Sequence, residues 1–597
     1  MTLEVRFLGA LDSAPPGGSV RDSRLTELTF DGGYVAHAAD VTVAARDGAI
    51  CVVAGKPRCA LQDGRTGAAD ARAWLDAYTR SGTKALENTR GRFCIIVLRP
   101  AERSVTIAAD RFATVPVCYS ASTTAFRFGD RADAVAGPSP ALSAQALFNY
   151  FYFHVVPGPD TVFEGVQRLQ PGCLATWHAG RLTIERYWSP KFTEHARPDL
   201  SASRAKFFAL VREAVEAEAD VGDVGAFLSG GTDSSTVAGM LQRHLGRPPK
   251  TYSMGFAEAG YDEMEYARIA ARHFGTEHHE YYVTPSDLVS AIPRIAAHYD
   301  QPFGNSSAAP ALVCAERARA DGVRKLLAGD GGDELFGGNQ RYAQQRVFGW
   351  YEAIPSPLRA RVLEPLLTRR VARKVPLVKK AASYVDQARV PMPHRMQTYN
   401  LLVRIGPEAI LEPGFCEQVN LRLPEQMQLE TWRAVGATTN INRMLAFDWK
   451  YTLTDNDLPK VVETTRLAGV EVGFPLLSDD LVEFSASLPP EWKLKRLKLR
   501  WFFKDALKEF LPPEILVKKK HGFGLPFGAW AYRDARLRAL ATDATNALSA
   551  RGVVRKSFVE RLFAEYLPAH PGYYGELVWN LTMLELWLEQ HAPSWRT

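Results

Sequence analysis

The sequence predicts an α/β chain in two parts: a β-rich layered domain over residues 1–190, then a larger parallel α/β domain with a helical extension over residues 200–597. Three observations carry this. The 597 residues are too many for one hydrophobic core, because domains typically hold about 100–200 residues. Short β-type runs broken by Gly, Pro and Asp fill the first third. Beyond it, apolar strand runs alternate with amphipathic helical patterns, as in a parallel sheet.

In chain order, Ala49–Ala54, Phe93–Leu98, Val105–Ala109 and Ala125–Phe128 read as strands of a layered domain with few helices. The chain turns polar around Pro190–Leu200, which marks the junction. Ser201–Ala217 has helical periodicity, and Val224–Leu228 is a short apolar strand. A tight loop, Ser229–Ser235, connects it to a helix expected over Thr236–Leu245. Lys250–Phe256 is the next strand, and Tyr261-Asp262-Glu263 leads a helix expected to end near His278-His279. Lys325–Ala328 reads as a further buried strand. Helical patterns dominate from Arg341 to Thr597, without repeat or low-complexity tract.

Composition excludes several classes. Hydrophobic residues at 46% and charged residues at 23% are ordinary for a folded soluble chain. The formal charge of +6 is mild, and no dense basic run is interleaved with aromatics, so no nucleic-acid partner is expected. No stretch reaches the roughly 18 apolar residues of a membrane span, and the N-terminus has no signal-peptide pattern, so a cytoplasmic location without membrane partner is expected. The seven cysteines lack CxxC spacing and favour neither a disulfide framework nor zinc.

Two motifs carry chemistry. In Ser229-Gly230-Gly231-Thr232-Asp233-Ser234-Ser235, glycines let the backbone approach an anion, and amides at a helix start donate to phosphate. The serines add hydroxyls, and Asp233 can hold Mg²⁺ against phosphate oxygens. The Gly-Lys-Ser/Thr ending of a Walker A loop is missing; the loop is similar to the PP-loop of the ATP pyrophosphatases, which form adenylates. A Gly-Ser turn feeding a helix cap is the plainer alternative. Second, Gly329-Asp330-Gly331-Gly332-Asp333-Glu334-Leu335-Phe336-Gly337-Gly338 follows a strand and combines glycines with three carboxylates. That suits metal-assisted phosphate chemistry.

These segments, in this order, resemble the asparagine synthetase class B family over most of the chain. In the first half, Gly91-Arg92-Phe93 and Ala109-Asp110-Arg111-Phe112 look like landmarks of its glutaminase-like domain. The resemblance implies an Ntn-hydrolase-like sandwich followed by an adenine-nucleotide α-hydrolase-like domain. It implies ATP and Mg²⁺ as cofactors, with Asp233 and Asp333 on the metal. Ser229, Gly231, Asp233 and Ser234 would hold the phosphates, Leu228, Met254 and Gly255 the adenine. Gly329 and Asp330 would lie near the ribose and adenylate, with Gly230, Ser235 and Gly331 in the same site. Asp330, Arg500 and Lys498 are the expected catalytic residues. The partners implied are a small-molecule or peptide carboxylate and an amine donor; a homodimer is left open.

Departures from the family pattern sharpen the expectation. Glutamine-using members carry a cysteine after the initiator Met, where this chain has Thr2. Their Asn-Gly-Glu segment reads here Val53-Ala54-Gly55-Lys56-Pro57. Both changes fall on one site, so the first domain is expected to be inactive toward glutamine. After Leu458-Pro459-Lys460 the family's charged positions become Val462-Glu463 and, later, Glu471-Val472-Gly473-Phe474-Pro475-Leu476-Leu477-Ser478, which argues against free aspartate as the natural substrate. A family lysine that contacts the leaving pyrophosphate or the carboxylate becomes Arg500, with Lys498 and Lys504 nearby. The Lys518–Gly524 segment matches without a legible role. The expected function is an ATP-dependent amide ligase that releases AMP and pyrophosphate without hydrolysing glutamine. Alternatives are intramolecular lactam closure, as in lasso peptide cyclases and β-lactam synthetases, a glutamine-hydrolysing asparagine synthetase, and a degenerate non-enzymatic protein.

Overall fold

Along the strand Arg90–Arg99, Phe93, Ile95 and Val97 alternate with Cys94, Ile96 and Leu98, and all six are buried. A period of two sends them to opposite faces, so both faces need cover. The first set packs with Trp74 and Leu75 of the helix Ala71–Ser81. The second joins Phe7, Phe126 and Trp177 in a cluster shared by two antiparallel sheets. Among the described residues one sheet carries six strands and the other seven, Ala49–Ala60 lying beside Arg90–Arg99 in the latter. The first half is therefore a sandwich flanked by a helix. This is the layered β-rich architecture the punctuated runs predict. The computed structural model describes residues 5–12, 24–60, 66–220, 222–352, 354–359, 361, 384–518 and 524–597. Thr2 lies outside them, as do the residues 519–523 of the Lys518–Gly524 segment.

Among the described residues the second half is built on five parallel strands: β1 (Val224–Phe227), β2 (Lys250–Phe256), β3 (Glu277–Val283), β4 (Lys325–Leu327) and β5 (Glu471–Gly473). Their order is β3-β2-β1-β4-β5, every neighbouring pair parallel. The chain starts in the middle, runs to one edge, and returns to the other side of β1. That reversal leaves a crevice at the carboxyl ends of β1 and β4, where open α/β sheets bind ligands. The helices that shape the site are α1 (Leu200–Glu218), α2 (Thr232–Leu245), α3 (Met264–Phe274), α4 (Gly332–Phe336), α5 (Leu458–Leu467) and α6 (Trp501–Ala506). Asp199 caps α1 by accepting from Ala202 N at 2.7 Å.

Three expectations change. Helix α2 begins at Thr232, so Asp233, Ser234 and Ser235 form its first turn, where short polar residues are favoured. Helix α3 ends at Phe274, because Gly275 adopts a left-handed φ of 63° and closes it; His278 and His279 belong to β3. The fifth strand, β5, comes from the region read as helical. Its three residues are too few to register as a run.

The halves meet through charge. Lys325, on β4 and fully buried, pairs with Glu218, the last residue of α1, at 2.7 Å and with Asp220 just beyond it at 2.8 Å. Asp220 also takes Lys56 of the first half at 2.5 Å. Arg111 reaches Asp479 at 2.8 Å and Glu483 at 3.0 Å, and its guanidinium lies 4.9 Å from the Trp188 ring. Gly91 N donates to Asp479 at 2.6 Å. Among the described residues, no helix is long and apolar enough to cross a membrane.

Candidate functional site

The loop after β1 and the loop after β4 touch. A Cβ on Gly329 would sit 2.7 Å from Ser234 N and 3.0 Å from Asp233, so only glycine admits the second loop this close to the first. Gly331 has φ 95° and faces Leu477, which a side chain would strike. The first loop is ordered from within: Ser229 N donates to Ser234 Oγ at 3.1 Å, and the two hydroxyls are 3.0 Å apart. Gly230, with φ 66°, packs against the backbone of α3.

The junction opens into a cavity of about 1100 Å³. Leu228, Ser229, Gly231, Asp233, Ser234, Met254, Gly329, Asp330, Gly331, Asp333, Lys498 and Arg500 all line it. Gly230, Ser235 and Gly255 do not. Ser235 is fully buried within the first turn of α2, and its hydroxyl points into protein. Gly255 lies against Met264, Tyr282 and Asp262.

Arg500 dominates the electrostatics. It is 5% exposed, at the start of α6, with a left-handed φ of 52°, and its N–H donates to Gly337 O at 3.1 Å. Its guanidinium spans Asp233 and Asp333, one arm on each, and also donates to Thr232 Oγ1 at 2.9 Å. Burial pushes the Asp233 carboxyl up, and Arg500 opposes that. Lys504, beside them, is pushed down by burial and then by the Arg500 charge. Lys518 closes another wall, 3.0 Å from Glu263 and 4.5 Å from the Tyr266 ring. Lys498 stands exposed at the mouth, on the strand Lys498–Leu499.

A second polar group lies across the cavity, at the amino end of α5. Lys460 is 2.9 Å from Asp457 and 3.9 Å from Asp330. Burial raises Asp330 to about 6, with Lys460 opposing and the charges of Asp457 and Asp233 adding. Glu334, 6% exposed, is pushed well above the carboxylate range by burial, and then by Asp457 and Asp448. Sequence reasoning gave Lys460 and Asp457 no site role. The Asp457–Lys460 spacing, i to i+3 at a helix start beside a family landmark, was the available signal.

Residues 206–589 match the family model for asparagine synthase, and residues 60–188 match that for a glutamine amidotransferase domain. The chain belongs to the asparagine synthase family. A Mycobacterium tuberculosis protein of this family is 27% identical over 535 residues, 87% of this chain and 79% of its own. Glutamine-hydrolyzing asparagine synthetase 1 of Bacillus subtilis is 25% identical over 538 residues, 87% of this chain and 80% of its own. As an asparagine synthase family member, the protein is an ATP-dependent ligase that forms carbon–nitrogen bonds.

Proposed function

We propose that the cavity adenylates a carboxylate and passes the acyl group to an amine, without glutamine as the nitrogen source. The observation that carries this reading is the meeting of two glycine-rich loops at the switch point of the sheet, with Asp233 and Asp333 lining one cavity and both contacted by Arg500. Ser229, Gly231 and Ser234 offer backbone and hydroxyl donors to a triphosphate at the start of α2. Leu228 and Met254 form the apolar wall for the base.

Among the described residues no group of three or more His, Cys, Asp or Glu is arranged to hold a metal. Two carboxylates with phosphate oxygens are nevertheless the donor set Mg²⁺ commonly uses, so Asp233 and Asp333 fit it. Bound there, Mg²⁺ would offset charge developing on the transferring phosphate. Arg500 and Lys498 supply positive charge on the pyrophosphate side. Lys460 offers it on the other, where an incoming carboxylate must pass Asp330, Glu334 and Asp457. A carboxylate oxygen attacks the α-phosphorus and pyrophosphate leaves. The amine nitrogen then attacks the acyl carbon, AMP leaves, and Asp330 takes the amine's proton.

The test is product stoichiometry. With ATP, Mg²⁺ and an amine, a panel of free amino acids, β-amino acids and linear peptides should yield one AMP and one pyrophosphate per amide. Accumulation of ADP and phosphate would overturn the reading, and a linear peptide that closes on its own amine would identify the intramolecular variant.

The proton role of Asp330 predicts a pH profile. A carboxyl near 6 is a base only when ionised, so amide formation at a fixed concentration of unprotonated amine should fall about tenfold per unit below that pH and level off above it. Asp457 raises Asp330, so Asp457→Asn should move the acid limb to lower pH. A limb that stays in place would remove Asp330 from this role.

Glutamine as donor is the second reading, favoured by the amidotransferase match and by the activity named for the Bacillus relative. Against it stand Thr2 in place of the cysteine and Val53–Pro57 in place of Asn-Gly-Glu. Lys56, in the stretch that replaces Asn-Gly-Glu, is engaged with Asp220 of the other half.

A further inference from the structure

We propose that Arg500 makes the Asp233–Asp333 pair selective for a metal–nucleotide complex over free divalent metal, by standing in the cation's place until a triphosphate draws it away. The inference rests on the reading of these two carboxylates as metal ligands.

The geometry makes the two occupants exclusive. One guanidinium contacts both carboxylates, its Nη1 on Asp233 and its Nη2 on Asp333. Those oxygens are the ones a bridging metal needs, and Mg²⁺ demands near-octahedral donors at about 2.0–2.1 Å. A dication entering while Arg500 stays would share the carboxylates with a fixed positive charge a few ångströms away, in a setting where Arg500 is 5% exposed and screening is weak. Free metal therefore competes with an internal ligand already held at high local concentration.

The displacement has a direction built into the fold. The backbone of Arg500 is anchored by its N–H on Gly337 O at 3.1 Å and by the helix α6 that follows, so only the side chain can swing. Its Nη1 also touches Thr232 Oγ1 at 2.9 Å, on the first turn of α2, which puts the fork at the edge of the phosphate loop. A phosphate arriving there offers two oxygens that the planar guanidinium fork can take together, and frees carboxylate oxygens in the same movement. The nucleotide thus brings the metal and removes its competitor together. A lysine at this position, one point charge on a flexible stem, could not hold both carboxylates with a single rigid fork.

The full-length chain can be titrated with Mn²⁺ and the free ion followed by electron paramagnetic resonance, with and without ATP. Wild-type protein should bind Mn²⁺ weakly alone and far more tightly with ATP. Arg500→Met should strengthen nucleotide-free Mn²⁺ binding about tenfold or more, and adding Asp233→Asn should erase that gain. Arg500→Lys, which keeps the charge and is less disruptive, should give a smaller gain in the same direction. Unchanged nucleotide-free affinity in both Arg500 variants overturns the inference, as does a gain that survives Asp233→Asn. If Asp233→Asn alone leaves Mn²⁺–ATP binding untouched, the metal assignment itself falls. If it weakens that binding while the Arg500 variants gain nothing, only the placeholder role is lost.

Discussion

Asparagine at position 233 or 333 is expected to lower ATP-dependent pyrophosphate release by about 10²–10³-fold while the protein stays folded, the loss typical when one preorganised charge-stabilising group is removed from a transition state. Each substitution keeps the volume of the side chain and deletes the charge. Asp233 sits where burial alone disfavours its ionised form, and Arg500 works against that cost. A neutral amide there relieves the burial penalty but leaves the buried Arg500 guanidinium one carboxylate short, so a lower melting temperature with the fold retained should accompany the collapse in activity. Charge kept in an unfavourable place marks a group selected for chemistry rather than for the fold. Both measurements are needed. Pyrophosphate release at the wild-type rate in both variants would remove the metal assignment, whereas loss of cooperative unfolding in both would recast the pair as structural.

Glutamate release from glutamine is expected to be negligible, with or without ATP, while ammonia or another amine supports amide formation. Glutaminase chemistry needs an activated nucleophile and donors that hold the amide and its oxyanion. Threonine at position 2 is a weaker nucleophile than the cysteine of glutamine-using members, and would need its own α-amine as base after removal of Met1. Loss of an oxyanion donor costs about 10²–10³ in rate before that handicap is counted. Gly55, within Val53–Pro57, is in a strand with φ 94° and backs onto Arg92 O, and the next residue reaches across to Asp220. Robust glutamate release that disappears in Thr2→Ala would show the first half to be catalytic.

How much could be read beforehand depended on how local each feature is. Phe93–Leu98 was legible as a strand because its apolar run is continuous, and Lys250–Phe256 because Tyr252, Met254 and Phe256 recur at every second position. The two loops were legible because glycine, serine and aspartate at a strand end have few other uses. Strand β5 was not, since three residues carry no period and only its pairing with Lys325–Leu327 makes it a strand. Nor was the engagement of Arg500 with Asp233, 267 positions away, because nothing in either neighbourhood encodes the other. Ser235 shows the same limit. It stands in the motif beside Ser234, yet one further step round the helix turns its hydroxyl into the core.

The charge pairs between the halves bear on how such a protein can change over generations. Lys56, Gly91 and Arg111 complete the partners of Asp220, Asp479 and Glu483. A deletion that removed the first half would strip Asp479 and Glu483 of Arg111 and leave Asp220 with Lys325 alone in a single event. Point substitutions face no such cliff, and can erode a pocket one side chain at a time. A module joined in this way is retained by its neighbour's need of it, and its persistence says nothing about whether it still turns over a substrate.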